Sequence, residues 1–429
     1  MGLNSRQGGG GDLPSLDLAF ALDKTLTPRK GPMPDFTRVQ ATSTGSTYVG
    51  ADRLIKYAAA NEPRFDHDPA TGASKGLLIE ESKTNLMARS EEFNQSPWSS
   101  SLITITQDDG VSPDGLTTAE SFLFTGVGNV VQTAVMGSTA PTATFSFFVK
   151  AKTGAGFTRI IIGNGTSPTN FFGGWFNLST GLWGTSAIGG TATLVGTSVT
   201  NFNNGWYRIS ITGSVSGASS YTPFLYITDS DNSTVRSTTV SQLWWGAQLE
   251  AGTFPTSYIP TTSGTAARSA DVCSIIGTDF SSFYNQSEGT ISKQVYAANG
   301  LGSTTQFPFG FSDGTTANQL SIFRATDDPR KFGFFSNTNN VGTPTSPIRT
   351  DIINDREYGA LAWAFKQNDM GGVFKGQLYT DTTITIPSVN QLHIGNRFDG
   401  ARPWNGHIAR IQYFRKRLSN AKLQTITTP

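Results

Sequence analysis

The densest polar cluster in this chain is Glu62, Arg64, Asp66, His67 and Asp68, a grouping of carboxylates and imidazole of the kind that binds metals or moves protons. The same residues sit in Asn61-Glu62-Pro63-Arg64 and Asp68-Pro69-Ala70-Thr71-Gly72, which read as turns where Asp and Asn bond the local backbone. A structural turn or a salt bridge between segments is the favoured reading, ahead of a metal site and of catalysis. Glu80-Glu81 supplies a carboxylate pair, but neighbours on a strand point to opposite faces and cannot flank one glycosidic bond. No second carboxylate is nominated, so hydrolysis is the minor alternative. His67, His393 and His407 are the three histidines, and a triad or zinc site would have to gather them from two regions.

Two other groups have binding chemistry. Trp175, Trp183, Trp206 and Trp245 lie in the middle of the chain, where an exposed aromatic face would stack on the apolar C–H face of a sugar ring. Core packing is the competing reading, because in Trp206-Tyr207 and Trp244-Trp245 the neighbours alternate faces and one of each pair is interior. Trp175 and Trp183 are the better glycan candidates, since Gly173-Gly174 and Gly184 mark turns. Asp229 and Asp231, in Asp229-Ser230-Asp231-Asn232-Ser233, place oxygen ligands at alternating positions but lack the central Gly and distal Glu of a calcium loop. A solvated hairpin turn is favoured there. No cofactor is expected, a structural calcium at these aspartates being the one ion the sequence leaves room for.

The elements that position these residues follow from composition. Of 429 residues, 37% are hydrophobic and 15% charged, and polarity is supplied by Thr, Ser, Asn and Gly. The 47 glycines and 11% aromatics suit short strands joined by tight turns. A net charge of +1 gives no field for nucleic acid or an anionic membrane. A lone Cys273 excludes an internal disulfide framework. The opening MGLNSRQGGGG lacks a secretory h-region, Arg6 stands where myristoylation wants Ser or Thr, and no run reaches membrane-spanning length, so no membrane insertion is expected.

The length predicts two globular modules plus an extra segment. Residues 1–85, punctuated by Thr27-Pro28 and the Pro32 to Pro34 cluster, read as an extended N-terminal arm without a core of its own. Residues 86–262 alternate in strands such as Thr144 to Val149 and Trp206 to Ile211, with turns at Pro113-Asp114-Gly115 and Asn203-Asn204-Gly205. A polar stretch through Ala270 reads as a linker. Residues 271–429 form a second block, ending in a Ser- or Asn-capped helical turn at Leu418 to Leu423. The fold class is all-β: two antiparallel sandwiches of jelly-roll or concanavalin type behind the arm.

Several blocks carry a resemblance. Ala58-Ala59-Ala60-Asn61-Glu62-Pro63-Arg64-Phe65-Asp66-His67-Asp68-Pro69, then Gly76-Leu77-Leu78-Ile79-Glu80-Glu81 and Thr84-Asn85-Leu86, resemble a signature of bacteriophage and prophage virion proteins. Trp245 to Glu250, followed by Phe254-Pro255-Thr256-Ser257-Tyr258-Ile259-Pro260-Thr261, is similar to a second block of it. Leu392-His393-Ile394-Gly395 and Trp404-Asn405-Gly406-His407-Ile408 are similar to the closing strands of laminin-G or concanavalin-like sandwiches. The resemblance implies a tail-fibre, baseplate or capsid-surface protein located in the virion. Its arm would attach to other virion proteins, with Glu62, Arg64, Phe65, Asp66 and His67 as contacts, and its middle module would resemble a carbohydrate-binding jelly roll. A non-enzymatic homo-oligomer, trimeric by resemblance, and host-surface glycans as ligands are expected, with no nucleic acid. The alternative is a capsid decoration or cement protein with no receptor role.

Overall fold

The computed structural model describes all residues except 1–12, 40–44, 137–141, 166–168, 203, 298–304, 325–330, 353–356 and 429. The opening glycine run, with its leader and lipidation readings, and Asn203 of the expected turn lie outside the described residues. The chain is all-β, with antiparallel strand pairs.

The middle sandwich is one continuous sheet folded on itself. Its strand order is Leu182–Gly189, Phe171–Asn177, Phe157–Gly163, Ser220–Thr228, Ala119–Val131, Ser241–Ala251, Ala143–Thr153, Trp206–Val215, Ala192–Asn201. Ala119–Val131 makes the fold: Glu120 to Phe122 pair with Ser241–Ala251, whereas Val130 and Val131 pair with Ser220–Thr228. One strand thus belongs to both leaves. Phe145, Phe147, Ile160, Ile162, Ile209, Ile211 and Trp244 alternate inward to form the core, as a two-residue period requires.

The C-terminal sandwich pairs two sheets. One runs Gln377–Asp381, Asp369–Phe374, Tyr358–Lys366, Glu288–Tyr296, Gly406–Phe414, Ser74–Ile79, Phe65–His67, with Leu16–Leu18 also on Gly406–Phe414. The other runs Asp35–Thr37, Val272–Ile276, Gln391–Ile394, Gln306–Ser312, Gln319–Arg324, Lys331–Thr338, Val341–Ile352. Ser419 caps the helix Asn420–Thr427 by accepting from the Lys422 backbone N–H, a longer element than the single turn expected.

The expected arm is where the structure departs most from the sequence reading. Leu16–Leu18, Asp35–Thr37, Phe65–His67 and Ser74–Ile79 are strands of the C-terminal sandwich, and Leu16, Leu18, Phe20, Phe36, Leu77 and Ile79 lie in its core. Residues 13–85 look poor in apolar content because that core is shared with strands some 200 to 400 positions away. The stretch read as a linker is also anchored, since Ala266–Arg268 pairs with Lys83–Asn85 and Arg268 is fully buried.

Two positions expose the energetics. Gly76, at φ +94°, brings the Ser74–Ile79 backbone so close to Gly406–Phe414 that a Cβ would stand 2.3 Å from the Ile408 carbonyl oxygen. Gly76→Ala should therefore cost about 3 kcal/mol, the upper end for a strained backbone position, measured by denaturant unfolding. Lys293 lies inside the C-terminal sandwich, its Nζ without a hydrogen-bond partner among the described residues and 4.2 Å from the Phe309 ring centre. Burial holds its pKa well below the ordinary 10.5. The unfolded chain protonates this lysine below that value while the folded chain does not, so stability rises with pH toward it. Lys293→Met should flatten that rise below pH 10.5 and add about 1–3 kcal/mol at neutral pH.

Candidate functional site

Five buried ionic side chains join the N-terminal strands to the segment between the sandwiches. Arg64 donates through Nη1 to Glu80 at 2.8 Å and through Nη2 to Asp271 at 2.6 Å. Arg38 reaches the other Asp271 oxygen at 3.0 Å, and Arg268 pairs with Glu80 at 3.1 Å. All five side chains are at most 8% exposed. Three guanidiniums against two carboxylates leave one positive charge in excess. Backbone carbonyls share that excess: Ala59 and Glu62 accept from Arg38, Thr47 from Arg64, and Glu81 from Arg268.

The electrostatics follow from this geometry. Burial pushes the Glu80 carboxyl upward, but Arg268, Arg64 and hydrogen bonds from the Ser257 hydroxyl and N–H outweigh it and hold it well below the usual carboxylate range. Burial likewise works against charge on Arg64, yet Asp271 and Glu80 raise it above an ordinary arginine. Arg38 is lowered, first by burial and then by the neighbouring Arg64. The blocks that carry the resemblance supply Arg64, Glu80 and Ser257, so they meet in one joint.

Above this joint a cleft of about 280 Å³ opens between the sandwiches. The middle sandwich lines it with residues that face away from its own core, among them Phe148, Ser198, Thr200 and Arg208. The C-terminal side contributes Asp66, His67, Lys75, Tyr296 and His407, and the ribbon of Thr47–Val49 and Ile55–Tyr57 adds Tyr48. His407 Nε2 lies 2.7 Å from Asp66 Oδ2, while the other Asp66 oxygen accepts the Val49 N–H at 2.6 Å. Burial raises the Asp66 carboxyl, but the His407 hydrogen bond and charge leave it below its usual value. His67 donates Nδ1–H to the Val49 carbonyl at 3.0 Å, and its Nε2 has no hydrogen-bond partner among the described residues.

An aspartate–histidine pair is part of a nucleophilic apparatus, but among the described residues no Ser, Thr or Cys side chain hydrogen-bonds to His407. The cleft carboxylates are engaged: Asp66 with His407, Asp68 with Thr71 and Lys75, Glu80 with the arginines. Among the described residues no three His, Cys, Asp or Glu side chains are grouped to hold a metal. Its remaining chemistry is hydrogen bonding flanked by aromatic rings.

The expected site residues are placed differently. Arg64 is buried in the joint, Phe65 packs near Phe20, and Asp66 and His67, though little exposed, line the cleft. Glu62 is exposed and accepts the Ala59 N–H in a local turn. Trp245 and Trp206 are buried although they face outward from their leaf, because Val49, Ile55 and Tyr258 cover that face. Trp175 is buried under the loop carrying Ser233, which accepts its indole N–H at 2.8 Å. Trp183 is partly buried against Phe176 and donates to the Ser198 carbonyl. Asp231 spends its carboxylate on the Thr185 N–H and hydroxyl, tying two hairpins together, and Asp229 is an exposed turn residue. His393 is buried in the other sheet, its pKa pushed down to about 4 by burial.

Sequence reasoning missed Asp271, Arg268, Arg208 and Tyr296, and missed that His407 meets Asp66 across 341 positions. No local pattern marks such partners.

No protein-family model matches this chain, and no curated protein matches it. Among solved structures, the carbohydrate-binding module of Ruminococcus gnavus IT-sialidase bound to alpha2,3 sialyllactose shares 18% identity over 34% of this chain and 84% of that one, with a TM-score of 0.28. Domain 4 of the arabinanase AbnA from Geobacillus stearothermophilus, in complex with arabinotriose, shares 13% over 41% and 82%, at 0.30. Trypanosoma rangeli sialidase in complex with the inhibitor DANA shares 9% over 76% and 71%, at 0.28. None of these likenesses reaches the level at which a site is transferred.

Breaking the joint tests its role. Glu80→Gln should cost about 3–5 kcal/mol, because its removal leaves Arg64 and Arg268 buried without the carboxylate they share. Because Glu80 titrates lower folded than unfolded, its contribution is present above the ordinary value of 4.5 and is lost as pH falls below it. Acid unfolding of the wild type should steepen there, and Glu80→Gln should remove that component.

Proposed function

We propose that this protein is a non-enzymatic glycan-binding component of a phage particle surface, with the cleft between its two sandwiches as the binding site. The supporting observation is the cleft itself: donors and acceptors from both sandwiches converge beside the rings of Tyr48, Phe202 and Tyr296. Its volume is just under the roughly 300–1,000 Å³ of ligand clefts, room for a sugar residue rather than a folded partner. Hydroxyls would take the hydrogen bonds, and a pyranose C–H face would lie on a ring. A single shallow site binds weakly, and many copies on one particle multiply it.

The particle setting is supported by the sequence blocks. A surface protein must keep its binding face oriented under load, and the joint built from those blocks holds two sandwiches in one orientation. The woven N-terminal strands argue that attachment uses the assembled body and not a detachable arm.

Binding is preferred to hydrolysis because a glycosidase needs two carboxylates about 5–10 Å apart across the scissile bond, and those of the cleft are already engaged. A glycan array probed with the intact protein should give hits. Tyr48→Ala and Tyr296→Ala should weaken them about tenfold, ~1.4 kcal/mol, with thermal stability little changed. Retained binding in both variants would move the site elsewhere. Host polysaccharide incubated with the protein should yield no reducing ends, and sustained release would overturn the non-enzymatic reading.

A further inference from the structure

The outer face of the opposite leaf of the middle sandwich carries a feature the cleft does not use. Arg159 stands directly opposite Trp175 on one neighbouring strand and Tyr226 on the other. Its guanidinium carbon lies 5.0 Å from the Trp175 ring centre and 4.9 Å from that of Tyr226. Arg236, from the loop after Ser220–Thr228, stands 3.9 Å from the same Tyr226 ring. Ile160 and Leu225 on these strands face the core, so the Trp175, Arg159, Tyr226 row faces outward.

What these arginines lack is as informative. Arg38, Arg64 and Arg268 meet buried carboxylates, whereas among the described residues neither Arg159 nor Arg236 pairs with any acid. Arg159 Nε is buried without a hydrogen-bond partner among the described residues. Arg236 is fixed by its own bonds to the Gly128 and Thr234 carbonyls. The loop is held in turn by the Trp175 indole N–H on Ser233. Two partly buried guanidiniums are thus oriented against one ring, with no counter-charge for their mutual repulsion. Stacking fixes the planar fork in the geometry that suits two-pronged recognition of an oxyanion. Beside the row, buried Ile161 and Phe224 support the partly exposed ring of Phe171 on the same face.

We propose that Arg159 and Arg236, flanking Tyr226, form an oxyanion-binding site that takes the carboxylate or sulfate of an acidic saccharide, whose ring lies over Phe171. The saccharide rests on the glycan-binding reading above; the oxyanion site does not.

Isothermal titration of the full chain tests it with four probes: trigalacturonate, its fully methyl-esterified form, a sulfated trisaccharide and sodium sulfate. One of the two acidic saccharides should bind at least about tenfold tighter than the uncharged ester, and sodium sulfate should compete. Arg159→Gln and Arg236→Gln should each weaken that binding about tenfold, whereas Tyr48→Ala in the cleft should leave it unchanged. Arg159→Lys, which keeps the charge and loses the fork, guards against misfolding and should bind between the two. Equal binding of acid and ester, or wild-type affinity in the folded double glutamine variant, overturns the proposal. Sulfate binding that depends on Arg159 without either saccharide sustains the oxyanion site and removes the saccharide. A silent cleft with this pattern intact overturns the earlier reading alone.

Discussion

The buried contact of Arg64 with Glu80 and Asp271 is the constraint on which the rest of this molecule depends. Charges removed from water lose several kcal/mol of hydration each, recovered only when every partner is in place with good geometry. Here the partners come from Arg38, from Arg64 and Glu80, and from Ser257 through Asp271, so the sandwiches and the N-terminal strands have to be assembled together. A half-formed joint would be worse than none. That all-or-none character turns a chain of two modules and a polar segment into one body.

The joint also explains why the cleft has its chemistry. The strands that deliver Arg64 and Glu80 to the interior continue into Asp66, His67 and Leu78, which face the opening. Facing them, the middle sandwich presents an outer surface whose tryptophans, Trp206 and Trp245, are sealed by Val49, Ile55 and Tyr258. The polar margin of that surface, Ser198, Thr200 and Arg208, reaches the cleft together with Phe148 and Phe202. Recognition there is accordingly a matter of hydrogen bonds with a few rings, and the broad tryptophan platform that the sequence invites is spent on holding layers together.

The two sides of the middle sandwich are therefore unequal. One leaf is covered by the rest of the chain. The other carries two arginines stacked on aromatic rings, with no acidic partner among the described residues. Each of the three arginines of the joint reaches a carboxylate, and that contrast singles out this face.

By itself the sequence determined the β class, the positions of strands such as Thr144 to Val149 and Trp206 to Ile211, and the alternation of their inward residues, because the two-residue period of Phe145, Phe147 and Val149 or Ile209 and Ile211 is a local property. It determined that Glu62 sits in a turn and that the Arg64 region favours a salt bridge over a metal. Tertiary structure alone decided which carboxylates Arg64 meets, that His407 meets Asp66, that Trp206 and Trp245 are covered, and that residues 13–85 are core strands instead of an arm. The physical reason is the same in each case. Periodicity tells which face of a strand a side chain occupies, but what lies against that face comes from segments hundreds of residues away, and in this fold both faces of the decisive strands are covered.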